Sequence, residues 1–327
     1  MDATDPTAPF APGSVSFRLY PHNELGAGAI VAELCHQAGL ALGGGFDGVM
    51  TSEHHGGFAG YLAQPLQAAA FVLDEHPRGW AAACPLLLPL RPTALVAEEV
   101  AWLRARHPGR VGLGVAAGAL PLDFEAAGLE PADAVPRFKA ELARIVALLR
   151  GAGLGPVEGD PALRACRDHP VPVLSAAVST AAATRAARCG AGLLLEGMSA
   201  VDRLVRLTGA FAAAGGTGTT VLIRRVWLGD VPSDLVDRQR AVYDSYSGAA
   251  AFGADQTVAA ADAGELVDRL VDLVATTGVD ALNLRVHLPG MAPPAVREQI
   301  ERLGREVVGP LKERWPERRP RSGPQRE

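Results

Sequence analysis

Short apolar runs alternate with amphipathic stretches along almost the whole 327-residue chain. The run SVSFRLY carries Val15, Phe17 and Leu19 at every second position, as a strand does, and Ile30, Leu34 and Ala38 then recur at helical spacing. FDGVMTS (46–52) is a second strand, followed by a helix opening near Pro65, because proline suits a first helical turn. GWAAACPLLLP (79–89) is a third; after Pro92, Val96, Val100 and Leu103 mark its partner helix. RVGLGVAA (110–117) is a fourth, and the clearest helix of the chain follows it, with Val135, Phe138, Leu142, Ile145 and Leu149 on one stripe. VPVLSAAV (171–178), AGLLLEG (191–197), TTVLIRRVWLG (219–229) and GVDALNLRVHL (278–288) continue the pattern, each with helical spacing after it. The last helix enters through Pro293 and Pro294.

Eight strand–helix pairs predict a single (β/α)₈ barrel over residues 14–315. Residues 1–13 and 316–327 are expected to be disordered tails. In such a barrel the chemistry lies on the loops after the strands, all at one end. That rule turns attention to strand ends.

Composition narrows the function classes. With 48% hydrophobic and 20% charged residues the chain suits a packed soluble protein rather than a disordered one. A net charge of −5 gives no basic footprint for nucleic acid or anionic lipid. No uninterrupted apolar run has the length of a membrane span. Cys35, Cys84, Cys166 and Cys189 show no metal or redox spacing and read as thiols of a reducing compartment. Residues 1–13 are acidic and proline-rich, unlike a secretory leader, so a cytoplasmic protein is expected.

The stretch FDGVMTSEHHGGF ends a strand on Ser52, Glu53, His54 and His55. A metal site, a proton-transfer site and a loop packed on the barrel top all fit those residues. Adjacent histidines at a strand end diverge, unlike an H-x-H pair, which disfavours a metal and with it a barrel metallohydrolase. The only lysines, Lys139 and Lys312, lie within predicted helices, which argues against Schiff-base chemistry. GLGVAAG (112–118) resembles a dinucleotide fingerprint but lacks the helix that must open at once, so small residues making room for a ligand are the simpler reading. Ser179 and Thr180 end a strand and open a helix; they are either an N-cap or a phosphate-binding turn.

Six stretches together resemble the luciferase-like flavin monooxygenases, the bacterial luciferase superfamily. They are TSEHH (51–55), CPLLLPLRPTALVAEEVAWL (84–103), GRVGLGVAAG (109–118), DFEAAGL (123–129), VSTAAATRAARCGAGLL (178–194) and TGVDALNLRVHLPG (277–290). The resemblance implies a (β/α)₈ barrel that holds reduced flavin, usually FMN, and uses O₂ to oxygenate a small organic substrate. A separate flavin reductase or a nicotinamide-dependent step would supply the reduced flavin. Carried onto this sequence, it makes His54 the proton-transfer residue; His55, pointing the other way along the strand end, would then support the site from behind or be structural, and Glu53 would be an orienting partner or a helix-facing charge. It places Ser52, Cys84, Pro85, Ala116 and Ala117 beside the flavin, and Cys84-Pro85 at a cis peptide under the ring. It turns Ser179 and Thr180 into the phosphate-binding turn. The luciferases carry a reactive Cys and a phosphate-binding Arg where this chain has Ala116 and Ala117; light emission is therefore not implied. Hydride transfer with a flavin or deazaflavin, and flavin binding without catalysis, are the alternatives. The resemblance also implies a homodimer through helices of the amino-terminal half, and leaves the organic substrate to the variable stretches GGFAGY (56–61) and YSGAAAFGADQT (246–257).

Overall fold

The computed structural model describes residues 8–58, 60–247 and 256–316. Its strands are β1 (Val15–Arg18), β2 (Gly48–Thr51), β3 (Trp80–Leu87), β4 (Val111–Ala116), β5 (Val173–Ala176), β6 (Gly192–Leu195), β7 (Thr220–Leu228), β8 (Val258–Ala260) and β9 (Ala281–Arg285). All pairings among them are parallel, and β1 through β7 with β9 close into an eight-stranded barrel through the β6–β7 and β9–β1 contacts. The expected (β/α)₈ barrel is the fold. Parallel strands need long crossovers, and helices provide them.

β8 lies outside the barrel, beside the upper end of β7, where Val226 pairs with Val258 and Leu228 with Ala260. Three residues give too short a pattern to read from sequence. Part of the stretch 246–257 expected to shape the pocket (residues 248–255) is outside the described residues, as are 1–7 and 317–327 of the expected tails.

Two separate apolar layers form. Between strands and helices runs the large core, to which the helix Ala134–Leu148 gives Phe138, Leu142 and Ile145, residues of the stripe seen in the sequence. The barrel lumen forms the other layer, with Phe10, Met50, Trp80, Ala82, Cys84, Leu174 and Leu194 among its members. Small and bulky residues alternate around the lumen because the ring leaves room for only a few large side chains. A methyl group on Gly48, which pairs with Trp80 in β3, would come to 2.1 Å from the indole; one on Gly114 would come to 2.2 Å from Cys84 Sγ.

The packed chain begins before the expected boundary at residue 14. Phe10 is 1% exposed and meets Trp80 edge to face, with ring centroids 5.1 Å apart, so that it closes the lower end of the barrel. It does so at φ +62, a conformation that costs a residue with a Cβ about 1 kcal/mol. Burial of the ring offsets that cost. A short apolar island in a proline-rich segment carries no periodicity, which is why the sequence reading assigned residues 8–13 to a tail.

Candidate active site

The strand ends open onto a cavity of about 460 Å³. Small apolar residues, among them Leu87, Ala116, Ala117, Ala176 and Ile223, make up much of its wall. Polar side chains also reach it, among them Arg18, Tyr20, Ser52, His54, Ser179, Arg185, Glu196 and Arg285. A largely apolar wall with few convergent polar groups is the usual form of a cofactor site.

The segment after β2 is tied down on both sides. Glu53 N donates to Pro85 O at 3.1 Å and His54 N to Leu62 O at 3.0 Å, which fixes the backbone across the mouth. His54 Nδ1 lies 2.8 Å from Asp123 Oδ2, and the other oxygen of that carboxylate accepts the His55 backbone N–H at 2.7 Å. Asp123 is fully buried on the short helix Pro121–Ala126. A carboxylate only accepts, so the neutral imidazole carries its proton on Nδ1 and keeps the Nε2 lone pair for a ligand. The orienting partner of His54 is thus Asp123, not Glu53. Glu53 instead bonds the backbone N–H of Leu87, the Arg91 guanidinium and, at 3.1 Å, His55 Nε2. Asp123 stood in a quoted motif, but nothing in the sequence links it to a histidine 69 residues earlier.

The other anticipated residues divide. Ser52, Pro85, Ala116, Ala117 and Ser179 line the cavity, and the Cys84-Pro85 bond is cis. Ser52 Oγ is buried with no hydrogen-bond partner among the described residues, as a hydroxyl waiting for a ligand would be. Cys84 turns its side chain into the lumen, where burial pushes the thiol up to about 12 against the opposing pull of Arg18; that excludes it as a nucleophile. Thr180 is exposed and does not reach the cavity, contrary to its expected place beside Ser179. The reason is the cap itself: Ser179 Oγ accepts from Ala182 N at 3.2 Å, which puts Ser179 on the cavity side and makes Thr180 the first helical residue.

Two features go beyond the strand ends and loops that the sequence marked, which included His54, His287 and the stretch of Tyr61. Arg185 stands on the same helix face as Ser179 and Ala182 and lines the cavity, and its Nε is buried without a partner. Its spacing of six from Ser179 was available in the sequence, but many helices carry an arginine there. The second is an aromatic wall. His54 and Tyr61 have ring centroids 4.5 Å apart, Tyr61 and Tyr20 5.4 Å, and Tyr20 and His287 5.4 Å. Burial alone would raise the Tyr20 phenol, but Arg285, which donates to its oxygen at 3.1 Å, together with Arg18 and Arg225, outweighs this and lowers it. Among the described residues no group of side chains is arranged to hold a metal ion.

His287 closes this wall. Burial foremost, then His22 and Arg285, pushes its imidazole from the ordinary 6.5 down to about 3. The folded protein therefore holds it neutral, while the unfolded chain protonates it below pH of about 6.5. Its contribution is present above that value and is lost as pH falls toward about 3, so acidification from about pH 7 to about pH 4.5 should cost about 3 kcal/mol. Urea unfolding at the two pH values measures this. A His287→Asn variant should show a flatter pH dependence; an unchanged slope would contradict the assignment.

The sequence matches the family model described as luciferase-like monooxygenase over residues 16–282, most of its length. The chain belongs to that family. No curated protein sequence matches this luciferase-like protein. Among solved structures it resembles the monooxygenase RslO1 of Streptomyces bottropensis at 19% identity and a TM-score of 0.70, over 90% of this chain and 99% of that one. The oxygenating constituent of 3,6-diketocamphane monooxygenase of Pseudomonas putida, solved with FMN, is 16% identical with a TM-score of 0.71, over 91% of this chain and 98% of that one. An F420-dependent secondary alcohol dehydrogenase gives 16%, 0.71, 91% and 98%. At such identities the likeness is one of fold. The family comprises flavin- or F420-dependent oxidoreductases, so the luciferase-like protein is placed among redox enzymes. Among its described residues no helix is long and apolar enough to cross a membrane.

Proposed function

We propose that this protein is an FMN-dependent monooxygenase that inserts one atom of O₂ into a small organic substrate. The observation that carries the reading is the His54–Asp123 dyad on the wall of a mainly apolar cavity within a luciferase-like barrel. When bound in reduced form, the flavin supplies the electrons that activate O₂. The chain's part is to bind, orient, shield and move protons. Ser52 Oγ and the Pro85 ring offer one polar and one flat apolar contact to a ring system, and the alanine walls keep bulk water away from it. His54 Nε2 takes up or returns a proton, and Asp123 steadies the positive charge that forms on the imidazole.

Ser179, the N–H groups that open its helix and the Arg185 guanidinium form the binding place for the FMN phosphate. The guanidinium thus replaces the arginine that is missing at Ala117. Ser179→Ala combined with Arg185→Met should weaken FMN by about 3 kcal/mol, since each charge-assisted bond contributes roughly 1.5 to 3. Riboflavin, which lacks the phosphate, should lose far less, and Thr180→Ala should change neither. Equal weakening of both ligands by titration would refute the phosphate site.

The helices Pro65–Glu75 and Thr93–Arg106 expose Phe71, Leu95 and Trp102, and a homodimer across that half of the chain would cover them. Sedimentation should give a dimer that Leu95→Arg weakens; a monomeric wild type would contradict it. A separate reductase would deliver the reduced flavin.

The deciding test of the activity is FMN binding followed by oxygen uptake with enzymatically reduced FMN, with and without a panel of small ketones, aldehydes and phenols. Substrate-dependent oxygen uptake supports the proposal. Turnover of alcohols with a deazaflavin and no oxygen uptake would replace it with hydride transfer, and flavin binding without any turnover would leave a flavin carrier.

A further inference from the structure

Arg18 stands at the end of β1 with its side chain in the barrel interior, 2% exposed, and forms part of the cavity floor. Its Nε donates to Asn283 Oδ1 at 2.8 Å and its Nη2 to the carbonyl oxygen of Cys84 at 2.9 Å. Asn283 is held in turn, its Nδ2 donating to Ser16 Oγ at 2.9 Å, while Ser16 Oγ donates to Leu282 O at 3.1 Å. Three strands, β1, β3 and β9, thus fix one guanidinium. Every acceptor in this network is neutral.

Arginine stays ionised when buried, and a buried charge without an opposite charge costs several kcal/mol. Among the described residues no carboxylate pairs with Arg18. The nearby Glu53 and Asp123 are committed to Arg91 and His54. The Cys84 thiol is pushed up to about 12 and cannot serve as the anion, and the Tyr20 oxygen already accepts from Arg285. Glu196, also in the cavity lining, is committed to the Met198 backbone N–H and the Ser199 hydroxyl, and apolar Pro85, Leu194 and Ile223 share the lining with Arg18. The missing negative charge must come with the ligand.

We propose that Arg18 sets the redox preference of the site by pairing with the negative charge of the reduced cofactor ring. A hydride brings two electrons and one proton, so a ring system that is neutral before transfer becomes a monoanion unless it takes a second proton from solvent. A fixed cation in the cavity lining would bind that anion more tightly than the oxidised ring and hold off the second proton. Arg18 is thereby a cofactor-contacting residue that selects reduced cofactor for loading. The inference rests on the flavin reading given above.

The test compares oxidised FMN with anaerobically reduced FMN on the full-length wild type, Arg18→Met and Arg18→Lys. Arg18→Met should lose about 10- to 100-fold in affinity for the reduced form with little change for the oxidised form. By linkage the midpoint potential of bound FMN should fall by about 30 to 60 mV. Arg18→Lys should keep most of the preference. Equal loss of both forms, or no loss, overturns the role of Arg18 while leaving the flavin assignment intact. Wild type that binds neither FMN nor a deazaflavin overturns that assignment and this inference with it. Should Arg18→Met fail to fold, the absorption of reduced FMN bound to wild type decides. The bound ring should stay anionic at least about one pH unit below the point at which free reduced FMN takes up its proton; protonation at the same pH overturns the proposal.

Discussion

Replacing His54 with alanine is expected to lower turnover by about 10²- to 10⁴-fold while FMN affinity stays nearly unchanged. The imidazole is held by Asp123 at 2.8 Å with Nε2 left unengaged by that contact, and it lines the cavity from the segment after β2. Removing it takes away the proton-transfer group without opening the floor. Asp123→Asn separates positioning from charge. The amide can still accept the His55 backbone N–H, but it no longer supports a protonated His54, so the variant should fold and lose kcat more than KM. Glu53→Gln should act differently, through stability, because Glu53 ties the Leu87 backbone, Arg91 and His55 together. Stopped-flow turnover and FMN titration on the three variants separate these outcomes. A His54→Ala enzyme with full oxygenase activity, or one that loses flavin and fold together, would sink the proton-transfer role.

The second large effect concerns the opposite end of the barrel. Phe10→Ala should destabilise the protein by about 3 to 5 kcal/mol, the range for removing a fully buried aromatic ring from a core. The ring fills the base of the lumen against Trp80, and it packs so close to Gly112 that a Cβ there would meet it at 2.7 Å. The cavity proposed to hold the cofactor is at the other end. FMN affinity measured well below the melting temperature should therefore stay nearly unchanged. Chemical denaturation of wild type and variant supplies the number. A loss below about 1 kcal/mol would mean that residues 8–13 behave as the tail the sequence predicted.

What the sequence determined by itself was the architecture. Hydrophobic periodicity is a local signal, and eight alternations of period 2 and period 3.6 leave a parallel barrel as the natural way to bury every strand on both faces. Because a barrel gathers its strand ends on one face, the pattern also pointed to the segments carrying His54 and Ser179 as neighbours in space, and the family resemblance added Ser52 and Ala116; all four line the cavity. The tertiary structure alone decided which of these groups meet, and which partners complete them. His54 finds Asp123 across 69 residues, and Arg18 finds Asn283 across 265; Phe10 reaches Trp80 from a segment with no periodicity at all. Pairings of that kind depend on the angle at which each strand enters the ring and on which side of a cap a residue falls, as the split between Ser179 and Thr180 shows. Local patterning encodes elements one at a time, whereas the contacts that hold a histidine–aspartate pair or a buried cation exist only once the ring has closed.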